Sequence, residues 1–410
     1  MNRAEHYKVV ELAVPALPAA SRAFWQPWLP EIVSTCELPD VVAIPLLNGE
    51  DGPWRHYFPE ETPLHSFEKV GASARAHFFD VRFSIECIMS RMAGGDLPEA
   101  CHFLGVLSHY LGDYGEPAHY YERDITLLLP PPPDRLNCNP HRLIEDVPST
   151  VTRLDYSPRV LGDSTDTIVL RLEGRLRDLY ETVLATIIPI LNALYRRDMP
   201  AASRQTDRAV AATAEVMADV LHTLACLHLR QWTPDERHAL AQCRLDELEP
   251  AACDVEFNFG CRPLRGAVTL DKTGRAQPLQ LRIPEGTAAA IRPAEGLCVV
   301  PHALPIRGTR YLAALEYDLP PDAFTRLTAT AGLLAGVTPQ AECIFAVETD
   351  GTERFRTRAL READPAQPLS VDITGCRRLR LVVYTDGSTD KLAFPIWAWP
   401  TVSRLPRTEG

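Results

Sequence analysis

The sequence predicts an all-α region followed by an all-β region within one chain of 410 residues. Apolar residues recur at helical spacing over 167–197 and again over 203–232. Beyond about residue 250 the pattern changes to short runs in which apolar and polar residues alternate, with turn residues between them. Many short alternating runs are typical of an antiparallel β-sandwich. We therefore predict two domains, a helical one over 1–245 and a β-sandwich over 255–402.

Two helix starts can be predicted from their capping residues. Asp96 stands just before an apolar segment that contains Pro98, so we expect Asp96 to cap a helix and Pro98 to lie in its first turn. Thr233, Pro234 and Glu236 form the pattern of a capping box with proline in the first helical position. Another helix is therefore expected to begin at this point.

The second half contains several strand candidates. Asp350 and Gly351 separate two alternating runs and predict a hairpin turn, because this residue pair readily adopts a left-handed backbone. The clearest alternating or β-rich runs are Val255–Phe259, Leu279–Ile283, Leu369–Ile373 and Arg378–Tyr384. These short strands support the prediction of an antiparallel sandwich.

Composition narrows the classes of function. A net charge of −12 argues against a general nucleic-acid binder, and no stable nucleic-acid partner is expected. An enzyme that binds a phosphate group through a metal ion is still compatible with this net charge, because the metal supplies positive charge locally. The 11 cysteines contain no Cys-x-x-Cys pair and are predicted to be reduced, buried thiols.

The sequence gives little indication of a membrane or export segment. No apolar run reaches the length of a transmembrane helix, so we expect no transmembrane segment. The first residues are too short and too interrupted for a standard signal peptide, which makes a cytoplasmic protein the default expectation. The compartment is left open at this stage.

Histidine and carboxylate pairs suggest a metal site in the helical half. His109 and Asp113 are four residues apart, which places both on one face of a helix. His141 and Glu145 repeat this spacing, and His119 stands between the two pairs. Imidazole and carboxylate groups on rigid helices suit Zn²⁺. The alternative is that each pair is an ordinary surface or capping arrangement.

The segment 103–119 resembles the signature of the bacterial zinc-dependent phospholipase C family, which shares its fold with the fungal single-strand-specific zinc nucleases. The pattern is His-Tyr-x-Gly-Asp, a short turn, Pro-x-His, and then His-x-x-x-Glu. These elements stand here in order, from His109 to Asp113, through Pro117 and His119, to His141 and Glu145. The resemblance implies a zinc-dependent phosphoric ester hydrolase with two or three zinc ions.

The resemblance also implies a division of the ligands among three ions. His109 and Asp113 would share one zinc with an upstream histidine, for which His56 is the candidate and His77 the alternative. The second zinc would be held by His119, His141 and Glu145. The third would be held by Met1, His6 and Asp40, with Asp51 as the alternative to Asp40.

Metal-activated water would then attack a phosphodiester or phosphomonoester, and Asp40 would orient or deprotonate the nucleophile. The His-x-x-x-Glu pair favours the phospholipase branch over the nuclease branch, so a phospholipid is the expected substrate. Two alternatives stay open. One is a single-strand-type zinc nuclease, and the other is a non-catalytic glycan-binding or scaffold protein with a structural metal.

Several stretches of the β half carry a second resemblance, namely Gly296–Ala303, Ala323–Leu333, Pro368–Gly375, Arg378–Val383 and Trp397–Trp399. On these stretches the β half resembles the NPCBM carbohydrate-binding modules. The resemblance implies a galactose-binding-like jelly roll with a possible glycan ligand. The alternative is a sandwich with a purely structural role.

Overall fold

The computed structural model describes residues 3–47, 52–59, 78–120, 140–255, 268–270, 275–283, 297–300, 303–305, 312–336, 341–385 and 394–404. The chain divides into two compact units, Met1–Glu236 and Arg237–Gly410, which we call the helical unit and the β unit. The predicted domain bounds, 1–245 and 255–402, stay a prediction.

The helical unit is built from α-helices and short 3₁₀ turns. The α-helices are α1 (Arg3–Ala16), α2 (Ala19–Trp25), α3 (Leu29–Ser34), α4 (Leu38–Leu47), α5 (Phe78–Ala93), α6 (Leu97–Tyr114), α7 (Pro140–Glu145), α8 (Thr165–Tyr195) and α9 (Met199–Leu229), and α10 (Pro234–Ala241) begins at its end. The 3₁₀ turns are Gln26–Trp28, Arg55–Tyr57 and Pro117–His119.

The long helices α8 and α9 pack against each other, and α1 and α6 pack against α9. Helix α6 is almost wholly buried, and its side chains Phe103, Leu104 and Leu107 are at most 1% exposed. Each such side chain contributes about 1.5–3 kcal/mol through removal of apolar surface from water. Helix α6 is therefore a rigid support for the polar residues that follow Leu107.

Both predicted helix starts are present. The Asp96 side chain accepts a hydrogen bond from the Glu99 amide at 3.3 Å at the start of α6. At α10 the Thr233 hydroxyl accepts from the Glu236 amide at 3.2 Å, and the Thr233 amide donates to the Glu236 carboxylate at 2.6 Å. The second pair is the reciprocal capping box that the sequence predicts.

Helix α9 is the one helix in the described part of the chain whose length and composition would allow it to cross a membrane. Of its most apolar stretch, 78% is buried inside the structure. A buried core helix passes the same length and composition test, so this feature is weak evidence for a membrane span.

The described residues of the β unit form two antiparallel sheets and two short strand pairs. Its strands are β1 (Gln242–Arg244), β2 (Ala252–Val255), β3 (Val268–Leu270), β4 (Ala276–Pro278), β5 (Gln280–Arg282), β6 (Leu297–Val299), β7 (Ala303–Pro305), β8 (Leu312–Asp318), β9 (Arg326–Leu333), β10 (Glu342–Thr349), β11 (Thr352–Arg356), β12 (Leu360–Arg361), β13 (Gln367–Asp372), β14 (Arg378–Thr385) and β15 (Pro395–Ser403).

One sheet has the order β1-β15-β9-β13, with β7 also paired to β15. The other has the order β11-β10-β14-β8-β2, with β12 also paired to β10. The short pairs are β3-β4 and β5-β6. Phe345 of one sheet contacts Trp397 of the other, with ring centroids 5.1 Å apart, and both side chains are fully buried. The two large sheets therefore face each other across a common core.

The predicted hairpin joins β10 to β11. Asp350 and Gly351 have φ angles of 49° and 79°, the left-handed region that the tight turn requires. The predicted runs at Leu369–Ile373 and Arg378–Tyr384 correspond to β13 and β14, whereas most of Val255–Phe259 lies outside the described residues. The predicted fold class, a helical half followed by an antiparallel β-sandwich, is confirmed.

Candidate metal centre

Helix α6 supplies the first pair of candidate ligands, His109 and Asp113, from adjacent turns of one face. Both side chains are buried, and His109 Nε2 lies 3.4 Å from Asp113 Oδ2. On the other side of the ring, His109 Nδ1 donates a hydrogen bond to the carbonyl oxygen of Cys36 at 2.8 Å. This bond fixes the tautomer, because the proton stays on Nδ1 and the Nε2 lone pair is left to bind a cation.

His6 reaches the same place from α1. Its ring stacks on that of His109, with centroids 4.1 Å apart and planes 9° from parallel. Its Nε2 atom lies 3.7 Å from Asp113 Oδ1. Gly112 makes this approach possible, since a Cβ at that position would lie 2.9 Å from His6 Cε1 and closer still to Nδ1. The glycine therefore admits a second histidine beside Asp113.

A second group of ligand-type residues is formed by His119, His141 and Glu145. His119 ends the 3₁₀ turn Pro117–His119, which is capped by the Glu116 side chain, and the other two lie on α7. His141 Nε2 lies 3.1 Å from Glu145 Oε1, and His119 Nε2 lies 3.8 Å from the same oxygen. The two imidazole rings stack at 5.1 Å.

Asp113 connects the two groups. His119 Nδ1 lies 3.7 Å from Asp113 Oδ1, the oxygen that His6 Nε2 also approaches. His109 approaches the other oxygen of the same carboxylate. One buried aspartate therefore stands between three imidazoles, an arrangement in which a single carboxylate can serve two neighbouring cations.

Burial and charge together set the protonation of this site. Burial opposes the charged form of His109, but the neighbouring Asp113 carboxylate outweighs it and raises the pKa of His109. Burial also opposes ionisation of Asp113, yet His109 and His119 hold the pKa of that carboxyl well below its usual value. Burial lowers the pKa of His6 well below 6.5, and the positive charge of His109 is the second cause of this shift. Asp113 is therefore anionic and His6 neutral at neutral pH.

Glu145 is ionised for a similar reason. Burial opposes its charge, but hydrogen bonds from His119 and His141 lower the pKa of Glu145 below its usual value. The site thus holds two carboxylates that are anionic at neutral pH, Asp113 and Glu145, together with four imidazoles. Such a set of oxygen and nitrogen donors is suited to zinc.

Buried polar atoms at the site also fit a cation. Three of them, His6 Nδ1, His109 Nε2 and Asp113 Oδ2, make no hydrogen bond within the described part of the chain. Buried polar atoms are nearly always hydrogen-bonded, and each orphan costs about 1–3 kcal/mol. A bound metal ion would satisfy the His109 and Asp113 atoms directly. The residues present therefore fit zinc, and the structure brings His119, His141 and Glu145 close together.

His56 and Asp40 lie in different places relative to His109 and Asp113. His56 is not brought to His109 and Asp113; its Nε2 donates to Glu99 Oε1 at 2.7 Å, and nearly half of its side chain is exposed. Asp40 lies 3.5 Å from His109 Nε2 and its side chain is 63% exposed. Met1, Asp51 and His77 lie outside the described residues.

In this structure His6, rather than His56, completes the group with His109 and Asp113. His6 therefore lies beside Asp113, and its predicted assignment to a site with Met1 and Asp40 stays a prediction, because Met1 lies outside the described residues. No spacing rule could have revealed this pairing, since α1 and α6 are far apart in the sequence and meet only through tertiary packing.

Comparison with known proteins assigns one part of the chain. Residues 308–403 match the family described as the NPCBM/NEW2 domain. No curated protein matches the sequence. Several solved structures can be aligned at low similarity, and each has a TM-score below 0.5.

One of these is the M60 catalytic domain of Clostridium perfringens ZmpB with its CBM51-1 and CBM51-2 domains, with 19% identity and a TM-score of 0.31. The alignment covers 40% of this chain but only 15% of that structure. A CBM51 module from Clostridium perfringens, solved with methyl-galactose, has 17% identity and a TM-score of 0.29 and covers 40% of this chain and 99% of its own.

Alpha toxin from Clostridium absonum aligns over 98% of this chain and 96% of its own, with 10% identity and a TM-score of 0.32. These TM-scores are too low to support an argument about fold or function. The fold is therefore described from the helices and strands of this structure alone. The family match is specific to the β unit, and residues 308–403 therefore form an NPCBM/NEW2 domain.

Proposed function

We propose that this protein is a zinc-dependent hydrolase of phosphoric esters, similar to the phospholipase C enzymes. The observation that carries the proposal is the convergence of His6, His109 and His119 on the single buried carboxylate of Asp113. The proposed ligands in the described residues are His6, His109, Asp113, His119, His141 and Glu145. Met1 stays a candidate from the family resemblance.

Zinc bound at these residues supplies positive charge that polarises a phosphoryl oxygen and lowers the pKa of water. The protein's contribution is to hold the donors rigidly. Cys36 fixes the ring of His109 through its carbonyl oxygen, and the stacked ring of His6 limits movement on the other side. Ligands held in this way pay little reorganisation cost when the cation enters.

Within the described part of the chain, the side chains of this centre differ in exposure. His109 and Asp113 are at most 4% exposed, whereas His141 and Glu145 are exposed by 22% and 24%. Asp40 is 63% exposed and lies 3.5 Å from His109 Nε2. We therefore propose that the phosphoester enters past His141 and Glu145, and that Asp40 orients the attacking water or accepts its proton.

A phospholipid is the substrate class that we propose. The family resemblance of the His141–Glu145 pair favours this branch, and the net charge of −12 disfavours a long polyanionic nucleic acid. The NPCBM/NEW2 domain supports a second, binding role in which the β unit attaches the enzyme to a glycan. That role is tested by binding of the whole protein to a panel of immobilised monosaccharides, galactose included.

The first test compares His109→Gln with His56→Gln. Zinc content by elemental analysis and hydrolysis of bis(p-nitrophenyl) phosphate are measured on the same samples. We expect His109→Gln to lose at least one zinc and nearly all activity, because its Nε2 atom faces Asp113. His56→Gln is the matched control and keeps both, because His56 pairs with Glu99.

An equal loss of zinc and activity in both variants would contradict the proposal that His6, and not His56, binds zinc together with His109 and Asp113. Zinc binding without any hydrolysis would favour the scaffold protein with a structural metal. Phosphatidylcholine vesicles and single-stranded DNA, offered to the wild-type protein in parallel, then separate a phospholipase from a nuclease. Preferential cleavage of the DNA would overturn the proposed substrate class.

A further inference from the structure

A third cluster of potential metal ligands lies near the end of the helical unit, apart from the centre around Asp113. It consists of His222 and Cys226 on α9 and Glu236 at the start of α10. His222 Nε2 lies 2.7 Å from Glu236 Oε1 and 3.8 Å from Cys226 Sγ. One ligand atom from each residue lies within 4.8 Å of the other two.

The chain places these three groups together by two local devices. His222 and Cys226 are four residues apart, so they project from the same face of α9. Glu236 is held by the capping box, in which the Thr233 amide donates to Glu236 Oε2 at 2.6 Å. The other oxygen, Oε1, is thereby directed to His222.

The remaining nitrogen of His222 is also held. Its Nδ1 atom is 2.9 Å from the hydroxyl of Ser21, a buried residue of α2. Histidines that bind metals nearly always use the second ring nitrogen for such a bond, which orients the imidazole. With Nε2 on a metal, the ring proton resides on Nδ1 and is donated to Ser21 Oγ.

We propose that His222, Cys226 and Glu236 bind one zinc ion at a site separate from the catalytic centre. Thiolate, imidazole and carboxylate are all zinc ligands, at about 2.3 Å for sulfur and about 2.0–2.2 Å for nitrogen and oxygen. Atoms that share a tetrahedral zinc at those lengths lie roughly 3–4 Å apart. The nitrogen-to-sulfur distance already falls in this range, and the nitrogen-to-oxygen distance needs to widen by roughly half an ångström.

The site can be reached by an ion from outside. Glu236 is 20% exposed whereas His222 is 4% exposed, so the carboxylate forms the outer wall of the cluster. Binding replaces the thiol proton of Cys226, which is released to solvent, and the fourth position of the zinc is left to water. An ion here joins the start of α10 to α9 and so stabilises this end of the helical unit.

Cobalt provides a direct test, because a Co²⁺–thiolate bond gives an intense near-ultraviolet charge-transfer band. The catalytic centre proposed above has no thiol ligand, so it cannot produce the band. Full-length protein is stripped with a chelator and titrated with Co²⁺. We expect the band in the wild type and in His109→Gln, and its loss in Cys226→Ser. Cys101→Ser is the matched control, since Cys101 is equally buried but lies on α6.

Glu236→Gln is a second test in case the Cys226→Ser protein fails to fold. Glutamine keeps the size and the capping hydrogen bond of the native side chain. We expect it to weaken Co²⁺ binding at this site by at least about tenfold while helical circular dichroism is unchanged. Absence of the band in folded wild type, or its persistence in Cys226→Ser, would overturn the proposal. Failure of phosphoester hydrolysis would not, because that readout belongs to the other site.

Discussion

Replacing Gly112 by alanine tests whether His6 belongs to the metal centre. An added Cβ would lie 2.9 Å from His6 Cε1 and closer to Nδ1, whereas ordinary contacts begin at 3.4 Å. The ring must therefore retreat from Asp113 by at least about half an ångström, which exceeds the tolerance of about 0.2 Å for a metal ligand. We expect zinc affinity at this position to fall by about 10–100-fold.

The effect on folding is expected to be modest. Alanine gains about 1 kcal/mol over glycine in a helix interior, and overpacking costs about 1–3 kcal/mol. The free energy of unfolding should therefore fall by no more than about 2 kcal/mol. Zinc affinity is measured by competition with a chromophoric chelator, and stability by urea unfolding of the metal-free protein.

Gly105→Ala is the matched control for this variant. It lies on the same helix, and its added Cβ would clash with Ile32 and Thr35, which are not ligands. We expect it to lose stability to a comparable or greater extent and to bind zinc as the wild type does. Unchanged zinc affinity in Gly112→Ala, or equal losses in both variants, would refute the role given to His6.

Two other predictions concern stability. Asp207→Ala removes an acceptor for the Thr150 and Val151 amides and should cost about 1–2 kcal/mol in urea unfolding. Burial opposes the charge on Asp207, but hydrogen bonds, of which that from Thr150 is the strongest, lower the pKa of its carboxyl group. The carboxylate therefore stabilises the folded protein fully above about pH 3.9, and this stabilisation is lost as the pH falls through the pKa of the folded state. A destabilisation by Asp207→Ala that becomes larger at acid pH would contradict this prediction. Phe345→Ala empties a buried position between the sheets and should cost the β unit about 3–5 kcal/mol, measured as a lower unfolding midpoint; a loss below about 1 kcal/mol would contradict the packing described.

Local features of the chain were predictable from the sequence. The Asp350–Gly351 turn and the Thr233–Glu236 capping box depend on backbone preferences of adjacent residues, and the structure contains both. The pairs His109–Asp113 and His141–Glu145 follow from the helical repeat, which brings residues four apart to one face. The order of helical and β regions follows from the change in hydrophobic period.

Contacts between distant segments were not predictable in this way. His6 meets Asp113 because α1 packs against α6, and nothing in the residues near His6 encodes that partner. His56 was placed by its distance along the chain, but its 3₁₀ turn directs it to Glu99. Likewise, Glu236 joins His222 and Cys226 only because the capping box turns its side chain toward α9.

Zinc at the proposed Asp113 centre is expected to support hydrolysis of a phosphoester. The most direct measurement is a zinc titration of chelator-stripped wild-type protein, with hydrolysis of bis(p-nitrophenyl) phosphate recorded at each addition. We expect no hydrolysis without zinc, and activity that rises with zinc occupancy until the centre is filled. Asp113→Asn should stay inactive throughout the same titration. Hydrolysis that does not depend on zinc, or no hydrolysis by folded wild type at saturating zinc, would contradict the proposed function.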